Sequence, residues 1–467
     1  MDDIKLVKNK LSGWSNTTYS TSETYYPTSY EEIIKIFKFA LSKNLTVSIL
    51  GGMRSYSDNF LNTEISINLN RLNNIVELKG NDLLVQSGVT FYEIVDYLDN
   101  KGFMIEVIPG TGHVSIGGAA SNNIHGKNAF KSGFFGNHVL EITYIDLSSF
   151  EIKKCTREKN KEIFYSIISG LGVLGVILEV KISLKKVKHL TVSEKHISLN
   201  NINNLFLKIN EIEKDADYLI ASIDLSSNLK KSSFAKLSYS KITNAESEKK
   251  KGFNIFKVLG NQKLIRPLFS FKYTYKLFEQ LFGIYSSGYF SNNKERNKNL
   301  LESHFLNDVF LPEYNYFFKN GFFEYQCNIP KKNAEEFFNF FYNEIKILKI
   351  KPLMTGLKSY SEAKENFLLS FQLDEKSYAF TFDFPNIDSS KLKSFFNVLN
   401  KKIINLNGKV YYAKTACLNF NQFESMYGKE NIEKFRKIKN KLDPNNLLVN
   451  NLYRRIFLEE ESLEDEY

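Results

Sequence analysis

Between Ser29 and Asn44, SYEEIIKIFKFALSKN spaces its apolar residues three and four apart, which predicts an amphipathic helix. TVSILGG follows as a short buried strand running into a glycine turn. ISINLNRLNNIVEL and DLLVQSGV alternate apolar and polar positions, the period of half-buried strands. FYEIVDYLDNKG returns to helical spacing and is predicted to end at Gly102. EVIPG reads as a strand or turn, VLEITYIDL and FEIKKC as strands, NKEIFYSIISG as a helix, and GVILEVKISLKKV as a long strand. The regular rhythm of a doubly wound parallel sheet is missing, so the expected fold class is α+β.

Near Lys186 the pattern changes. From there to about Asn407 the chain is richer in Phe, Tyr and Lys, with strands such as YAFTFDFP and helices such as AEEFFNFFYNEIKIL. A chain of 467 residues exceeds one compact core. The expected division is a first domain over 1–185, a second over 186–407 with an antiparallel sheet and helices, and a C-terminal segment over 408–467. That last segment contains a predicted strand, KVYYAK, and an LDPNN turn.

Composition narrows the classes. Hydrophobic content of 43% and charged content of 24% are those of a globular protein. Cys155, Cys327 and Cys417 form no C-x-x-C pair, and the six histidines show no zinc-ligand spacing. A disulfide framework and a metal site are therefore not expected. MDDIKLVKNKLSGW lacks the apolar run of a signal peptide, and no stretch of about 18 apolar residues occurs, so a cytoplasmic protein is expected. The net charge of +10 suits phosphates, nucleic acid or an anionic membrane, and charge alone does not choose among them. In 246–280, Lys and Arg interleave with Phe, Leu, Ile and Tyr. That stretch reads either as a solvated helix pair or as a mobile basic flap resting on an anionic membrane.

Four short motifs carry chemistry. ILGGMRSYSDN, from Ile49 to Asn59, is a strand followed by a glycine turn whose successive N–H groups form an anion nest. PGTGHVSIGGAASNNIHGKN, from Pro109 to Asn128, is dense in small residues and lets a large ligand lie against bare backbone, with His125 at its end. GLGVLG, Gly170–Gly175, matches a dinucleotide fingerprint in letters, but a helix precedes it and a strand follows, the reverse of what that motif needs. It is read as a tight helix-to-strand turn. YYAKTA places Lys414 in a predicted strand: on the solvent face it is an ordinary surface lysine, whereas burial would suit proton transfer.

Together, ILGGMRSYSD, QSGV, the Pro109–Asn128 run, SGFFGNHV and GLGVLGVI resemble, in this order and spacing, the PCMH-type FAD-binding domain of the vanillyl-alcohol oxidase superfamily. IHGKN, GFFGNHV, YYAK, MYGK and LDPNN are most similar to its branch of oxidase subunits of polyprenyl-phosphoryl-ribose 2′-epimerases. SGWSNTTYS and GFFEYQCNIP fit the same branch. The resemblance implies FAD held by the N-terminal domain, with the C-terminal segment returning to the flavin. Carried over by motif, the FAD contacts are Ile49, Leu50, Gly51, Gly52, Met53, Arg54, Ser55, Tyr56, Ser57, Asp58 and Asn59. Gly110, Ser115, Ile116, Gly117, Gly118, Asn122, Asn123, Ile124, His125, Ile177 and Tyr411 complete that set. The catalytic residues implied are Lys414 first, for the substrate hydroxyl or its proton, then His125 and Tyr56. The substrate-binding residues implied are Lys358, Gln326, Tyr360, Thr381 and Lys414, with Lys358 meeting a phosphate.

Two departures from the family pattern matter. The first glycine loop reads RSYSD and contains no histidine for covalent attachment, so FAD is expected to be non-covalent. Thr381 stands where relatives carry a cysteine, so the substrate wall differs. The resemblance implies oxidation of a secondary hydroxyl of a polyprenyl-phosphate-linked, ribose-like sugar to a keto sugar. An NAD(P)H-dependent short-chain reductase would complete the epimerisation, with peripheral membrane contact through 246–280 and no nucleic-acid partner. An aldonolactone or alditol oxidase acting on a small soluble sugar is the alternative. A basic binding protein with an inactive flavin fold is a third reading. Lys127 has no assigned role.

Overall fold

Ser29 starts the first helix, α1 (Tyr30–Lys43): its side chain accepts from the Glu32 N–H, and Ile33, Ile36, Phe37 and Ala40 form the buried stripe. Asn44 ends it in the left-handed conformation, φ 54°. The computed structural model describes residues 4–225, 234–247, 295–305, 308, 314–318 and 320–459. The 246–280 stretch, apart from its first two residues, lies outside them.

Three sheets organise the chain. The first joins β1 (Leu6–Ser12), β2 (Tyr19–Tyr25), β3 (Val47–Leu50) and β4 (Ile65–Asn68) in the order β1-β2-β4-β3. Its β2–β4 and β3–β4 pairs are parallel and its β1–β2 pair is antiparallel. The second contains β5 (Ile75–Lys79), β6 (Asp82–Gln86), β7 (Phe103–Ile105), β8 (Val139–Asp146), β9 (Glu151–Thr156) and β10 (Val176–Lys186), all antiparallel. The third runs β14 (Arg296–Asn299), β11 (Thr191–Leu199), β13 (Ala235–Thr243), β12 (Tyr218–Ile223), β16 (Met354–Tyr360), β17 (Ser377–Pro385), β15 (Phe322–Pro330) and β18 (Lys409–Val410). Helices interleave with these mostly antiparallel sheets, an α+β fold.

Alternation decides the third sheet's two faces. Phe380, Phe382 and Phe384 of β17 point to one side, where Phe337 and Phe341 of the helix Ala334–Leu348 and Phe395 of the helix Ser389–Asn405 meet them. The Phe341 and Phe382 rings are 3.9 Å apart. The other face faces the N-terminal half. There the Leu219 N–H donates to the Lys127 carbonyl, the Ser361 N–H to the Ala129 carbonyl and the Phe322 N–H to the Ser15 carbonyl. The functional residues gather at this seam.

Two elements differ from the expected ones. The helix predicted to reach Gly102 stops as α2 (Phe91–Leu98), because Asp99 leaves helical ψ and Asn100 turns left-handed at φ 61°. Its start is a capping box between Thr90 and Glu93. KVYYAK is a strand only over Lys409–Val410. The Tyr411 hydroxyl donates to the Asn122 carbonyl (2.9 Å) and the Tyr412 hydroxyl to the Ser169 carbonyl (3.3 Å). Those bonds draw the chain across the seam, and Lys414 lies in a turn, its N–H on the Tyr411 carbonyl. GLGVLG is the expected turn, with Leu171, Gly172 and Gly175 at positive φ between a helix ending at Ile167 and β10.

The LDPNN turn anchors the C-terminal segment. Lys439 and Asp443 form a fully buried ion pair, and the carboxylate also accepts from the Leu447 and Leu448 N–H groups. Next to it, Val47 of β3 exchanges backbone bonds with Leu447 and Val449. Asp443→Ala leaves a buried ammonium without its carboxylate and is expected to lower stability by about 3–5 kcal/mol, read as a drop in Tm.

Candidate active site

The loop leaving β3 is pressed onto α3 (Ile116–Ser121), the helix that the Gly117-Gly118-Ala119-Ala120 run forms in place of an open bed. The Gly52 N–H donates to Ser115 Oγ (3.0 Å). A Cβ on Gly51 would sit 2.2 Å from that oxygen, one on Gly52 2.2 Å from the His113 carbonyl oxygen, and one on Gly117 2.8 Å from Ser87 Cβ. Gly52 is required by close approach of backbone, while Gly51 and Gly117 leave room for the side chains of Ser115 and Ser87. Gly110 is open, since a Cβ there would meet nothing within 4 Å, whereas a Cβ on Gly118 would press on Ser115 Oγ at 3.2 Å. Met53 is left-handed at φ 49°. Among the described residues, the N–H groups of Met53, Ser55 and Gly118 meet no acceptor. Unsatisfied donors beside an open backbone surface fit the diphosphate of a dinucleotide cofactor.

Other loop side chains have protein partners. Leu50 packs in a small cluster with Phe60 and Leu61. Asp58 is paired with Arg455 (2.8 Å), and Ser57 Oγ donates to Asp58. Asn59 Nδ2 donates to Asn122 Oδ1 (3.1 Å). Asn123 accepts from the Gly136 N–H and donates to Ser370. Ile116 and Ile177 are core residues, Ile49 and Ile124 pack at the core's edge, and Arg54 influences Tyr92.

His125 follows this cradle in a closed ring of side chains. Its Nε2 lies 3.1 Å from Gln326 Nε2 and its Nδ1 2.9 Å from the Tyr360 hydroxyl. Phe134, Phe371 and Tyr411 surround the imidazole. With the Gln326 amide in this orientation, Nε2 accepts and Nδ1 carries the proton that Tyr360 accepts. Burial, then the Lys358 and Lys414 ammoniums, hold the ring well below the usual histidine range, so it is neutral.

Lys414 lies at the other end of the same polar face. Its Nζ is 2.7 Å from Glu324 Oε1 and 3.7 Å from the centre of the Tyr56 ring. The Tyr56 hydroxyl is 3.0 Å from that of Tyr314, which donates to Asp383 (3.4 Å). Trp14, from the SGWSNTTYS segment, braces both tyrosine rings at 5.1 and 4.7 Å.

Register explains why these residues meet. Opposite pairs across β15 and β17 include Glu324 with Asp383, Gln326 with Thr381 and Asn328 with Ala379. Across β17 and β16, Thr381 opposes Gly356 and Ala379 opposes Lys358. Steps of two keep Glu324, Gln326, Thr381, Asp383, Lys358 and Tyr360 on one face. Burial first, then Lys414, lowers Lys358 to about 8. Burial also lowers Lys127 to about 8; its ammonium is turned inward and donates to the Ser303 carbonyl. The structure thus gathers Tyr56, His125, Gln326, Lys358, Tyr360, Thr381, Tyr411 and Lys414 around one seam. Sequence reasoning missed Glu324, Asp383 and Tyr314. Alternation from Gln326 and Thr381 flags the first two as neighbours on the same face; Tyr314 has no local signal.

A family model described as the FAD binding domain matches residues 22–156. Decaprenylphosphoryl-beta-D-ribose oxidase of Mycolicibacterium smegmatis is 23% identical over 476 residues, covering 98% of this chain and 99% of that protein. The N-terminal part of the chain is an FAD-binding domain, which makes the protein a flavoenzyme. The flavoenzyme is an FAD-dependent oxidoreductase acting on CH–OH groups. A D-arabinono-1,4-lactone oxidase model matches its residues 358–456. D-arabinono-1,4-lactone oxidase of Candida glabrata is 27% identical over 203 residues, 40% of the flavoenzyme and 38% of that relative. A putative D-arabinono-1,4-lactone oxidase of Neurospora crassa is 30% identical over 170 residues, 36% of the flavoenzyme and 30% of that relative. Among the described residues, no helix is long and apolar enough to cross a membrane.

Proposed function

We propose that this flavoenzyme oxidises a secondary hydroxyl of a polyprenyl-phosphate-linked, ribose-like sugar to a keto sugar, the first half of a 2′-epimerisation. The observation that carries the reading is the shape of the polar face. Lys414, Gln326 and Tyr360 supply groups for sugar hydroxyls, while Lys358 forms no ion pair among the described residues and suits a phosphate. The full-length match to a decaprenylphosphoryl-ribose oxidase supports the same substrate class.

FAD, when bound, supplies the hydride acceptor. The cradle of Gly51, Gly52, Met53, Ser55 and Gly118 would hold its diphosphate, and Tyr411 and His125 would border the flavin. The 51–58 loop has no histidine and both His125 nitrogens are engaged, which supports non-covalent binding. Lys414 meets the substrate hydroxyl, and its positive charge stabilises oxygen as the proton leaves. His125 holds Gln326 and Tyr360 in place, and Thr381 forms the wall beside Gln326.

Adding polyprenylphosphoryl ribose to the yellow protein without oxygen is expected to bleach the flavin. The second reading, a soluble aldonolactone or alditol oxidase, is favoured by the lactone-oxidase model match over 358–456. D-arabinono-1,4-lactone as the faster reductant would select it. An NAD(P)H-dependent reductase as second component and peripheral membrane contact through 246–280 belong to the first reading.

Lys358 makes binding depend on pH. Its ammonium is present below about 8 and lost above, so the KM for the phosphate-bearing sugar is expected to rise as pH passes about 8. Lys358→Met is expected to raise KM about tenfold and flatten that rise. Steady-state kinetics across pH 6.5 to 9.5, roughly the span in which such a lysine titrates, checks it.

A further inference from the structure

Glu324 and Asp383 stand directly opposite each other on β15 and β17, and both are buried. Cross-strand partners point to the same face, and two like charges there repel. In a dry site two carboxylates so placed do not both stay ionised; one keeps a proton. A second observation agrees. Asp383 Oδ1 is buried with no hydrogen-bond partner among the described residues, and the carboxyl next to it is Glu324. Two carboxylates are both acceptors, so only a proton between them makes a bond. Burial, then the Glu324 charge, pushes Asp383 well above the usual carboxylate range.

The pair adjoins the reacting end of the site. Glu324 Oε1 receives the Lys414 ammonium at 2.7 Å, and Asp383 accepts from Tyr314, which is bonded to Tyr56 beneath that ammonium. An ion-paired ammonium has no lone pair and cannot accept a proton from a hydroxyl unless it first gives one away. The carboxylate already bonded to it is the group that can take it.

We propose that Glu324 and Asp383 share one proton at rest, and that Glu324 receives the substrate's hydroxyl proton by way of Lys414. The step balances. The substrate O–H bond breaks as an N–H bond forms on Lys414; one of the original Lys414 N–H bonds breaks as an O–H bond forms on Glu324. Lysine begins and ends as an ammonium, the pair goes from one proton to two, and the hydride of the carbon leaves to FAD, the hydride acceptor. When product departs, the pair returns its extra proton to water through Lys414, whose side chain keeps 20% of its exposure. Asp383 is a positioning residue: it touches no substrate and acts through Glu324. Glu324 is faced by Lys414 and Tyr411 from the turn after β18, Lys358 and Tyr360 from β16, Tyr56 and Tyr314 across the seam, and Asp383 from β17.

The inference rests on the reading of Lys414 as the hydroxyl contact, so two independent measurements test it. Infrared spectra of the FAD-loaded protein at pH 7, without substrate, are expected to show a protonated-carboxyl C=O band. Asp383→Asn is expected to lose it, whereas Glu324→Gln, which leaves the burial that chiefly raises Asp383 but removes the shared bond, is expected to keep it at a shifted frequency. With polyprenylphosphoryl ribose or D-arabinono-1,4-lactone, whichever bleaches the wild type, Glu324→Gln is expected to slow flavin reduction about 100-fold with little change in KM. It also removes the acid limb of the pH–rate profile. Asp383→Asn, which exchanges an O–H donor for a weaker N–H donor, is expected to move that limb to higher pH. A band that persists in Asp383→Asn, one that is unshifted in Glu324→Gln, or wild-type bleaching rates in Glu324→Gln overturns the proposal. Failure of both sugars to bleach the wild type counts against the substrate reading alone, and the band still decides whether the proton is shared.

Discussion

Lys414→Ala is expected to purify yellow and to lose reduction of the flavin by substrate, slowing it by about 10³-fold or more. The expectation follows from where the ammonium lies. It is held 2.7 Å from Glu324 and over the Tyr56 ring, on the face that carries Gln326 and Tyr360. None of the glycines that shape the cofactor cradle touches it, so FAD content is expected to be unchanged. The loss combines two effects: the positive charge that stabilises the forming oxyanion disappears, and the route to Glu324 is cut. Lys414→Arg separates them, because it restores charge without restoring an ordinary proton carrier. It is expected to recover part of the rate, with anaerobic stopped-flow bleaching as the measurement. A Lys414→Ala protein that bleaches at the wild-type rate would remove this residue from the chemistry.

The second large effect is expected at Gly52. Its missing Cβ leaves room for the His113 carbonyl oxygen, 2.2 Å from where the carbon would be. Backbone on both sides cannot swing away as a side chain tip does. Gly52→Ala therefore forces the β3 exit loop off α3, breaking its N–H bond to Ser115 and spreading the donors of Met53, Ser55 and Gly118. Strain of about 1–3 kcal/mol is typical of such overpacking, and if it falls on the cradle it weakens FAD about 5- to 150-fold. The protein is expected to purify with little flavin. Flavin absorbance per chain, with the Tm of the apoprotein as a control for folding, checks it. Full flavin content in Gly52→Ala would mean that the diphosphate lies elsewhere.

How far these features can be read from residue order depends on their range. The Gly51-Gly52 turn, the helix from Tyr30 to Lys43 and the strand–helix reversal around GLGVLG are legible because each is a local constraint. A close approach needs glycine, a buried helical stripe needs spacing near 3.6, and a tight turn needs positive φ. The period-two run YAFTFDFP likewise separates its phenylalanines from Ala379, Thr381 and Asp383 before any partner is known. Lys414 was legible only by motif. Its strand was not, since two tyrosine hydroxyls bonded to Asn122 and Ser169 pull the segment out of the sheet.

Lys127 shows the same boundary. One residue from a glycine and two from His125, it has nothing nearby in sequence to bury it. A carbonyl at Ser303 takes its ammonium into the interior.

Residue order alone settles the α+β character, the glycine cradle and the alternating faces, because φ, ψ and side-chain period are properties of short segments. The meeting of Lys414 with Glu324, of Glu324 with Asp383 and of His125 with Gln326 and Tyr360 comes from folding. Those partners lie 59 to 235 residues apart, as with Glu324 and Asp383 at the short end and His125 and Tyr360 at the long end. Their contact depends on sheet register and on how the third sheet closes against the first half. So does proton sharing between two carboxyls, which requires both proximity and the loss of water that only a packed seam provides.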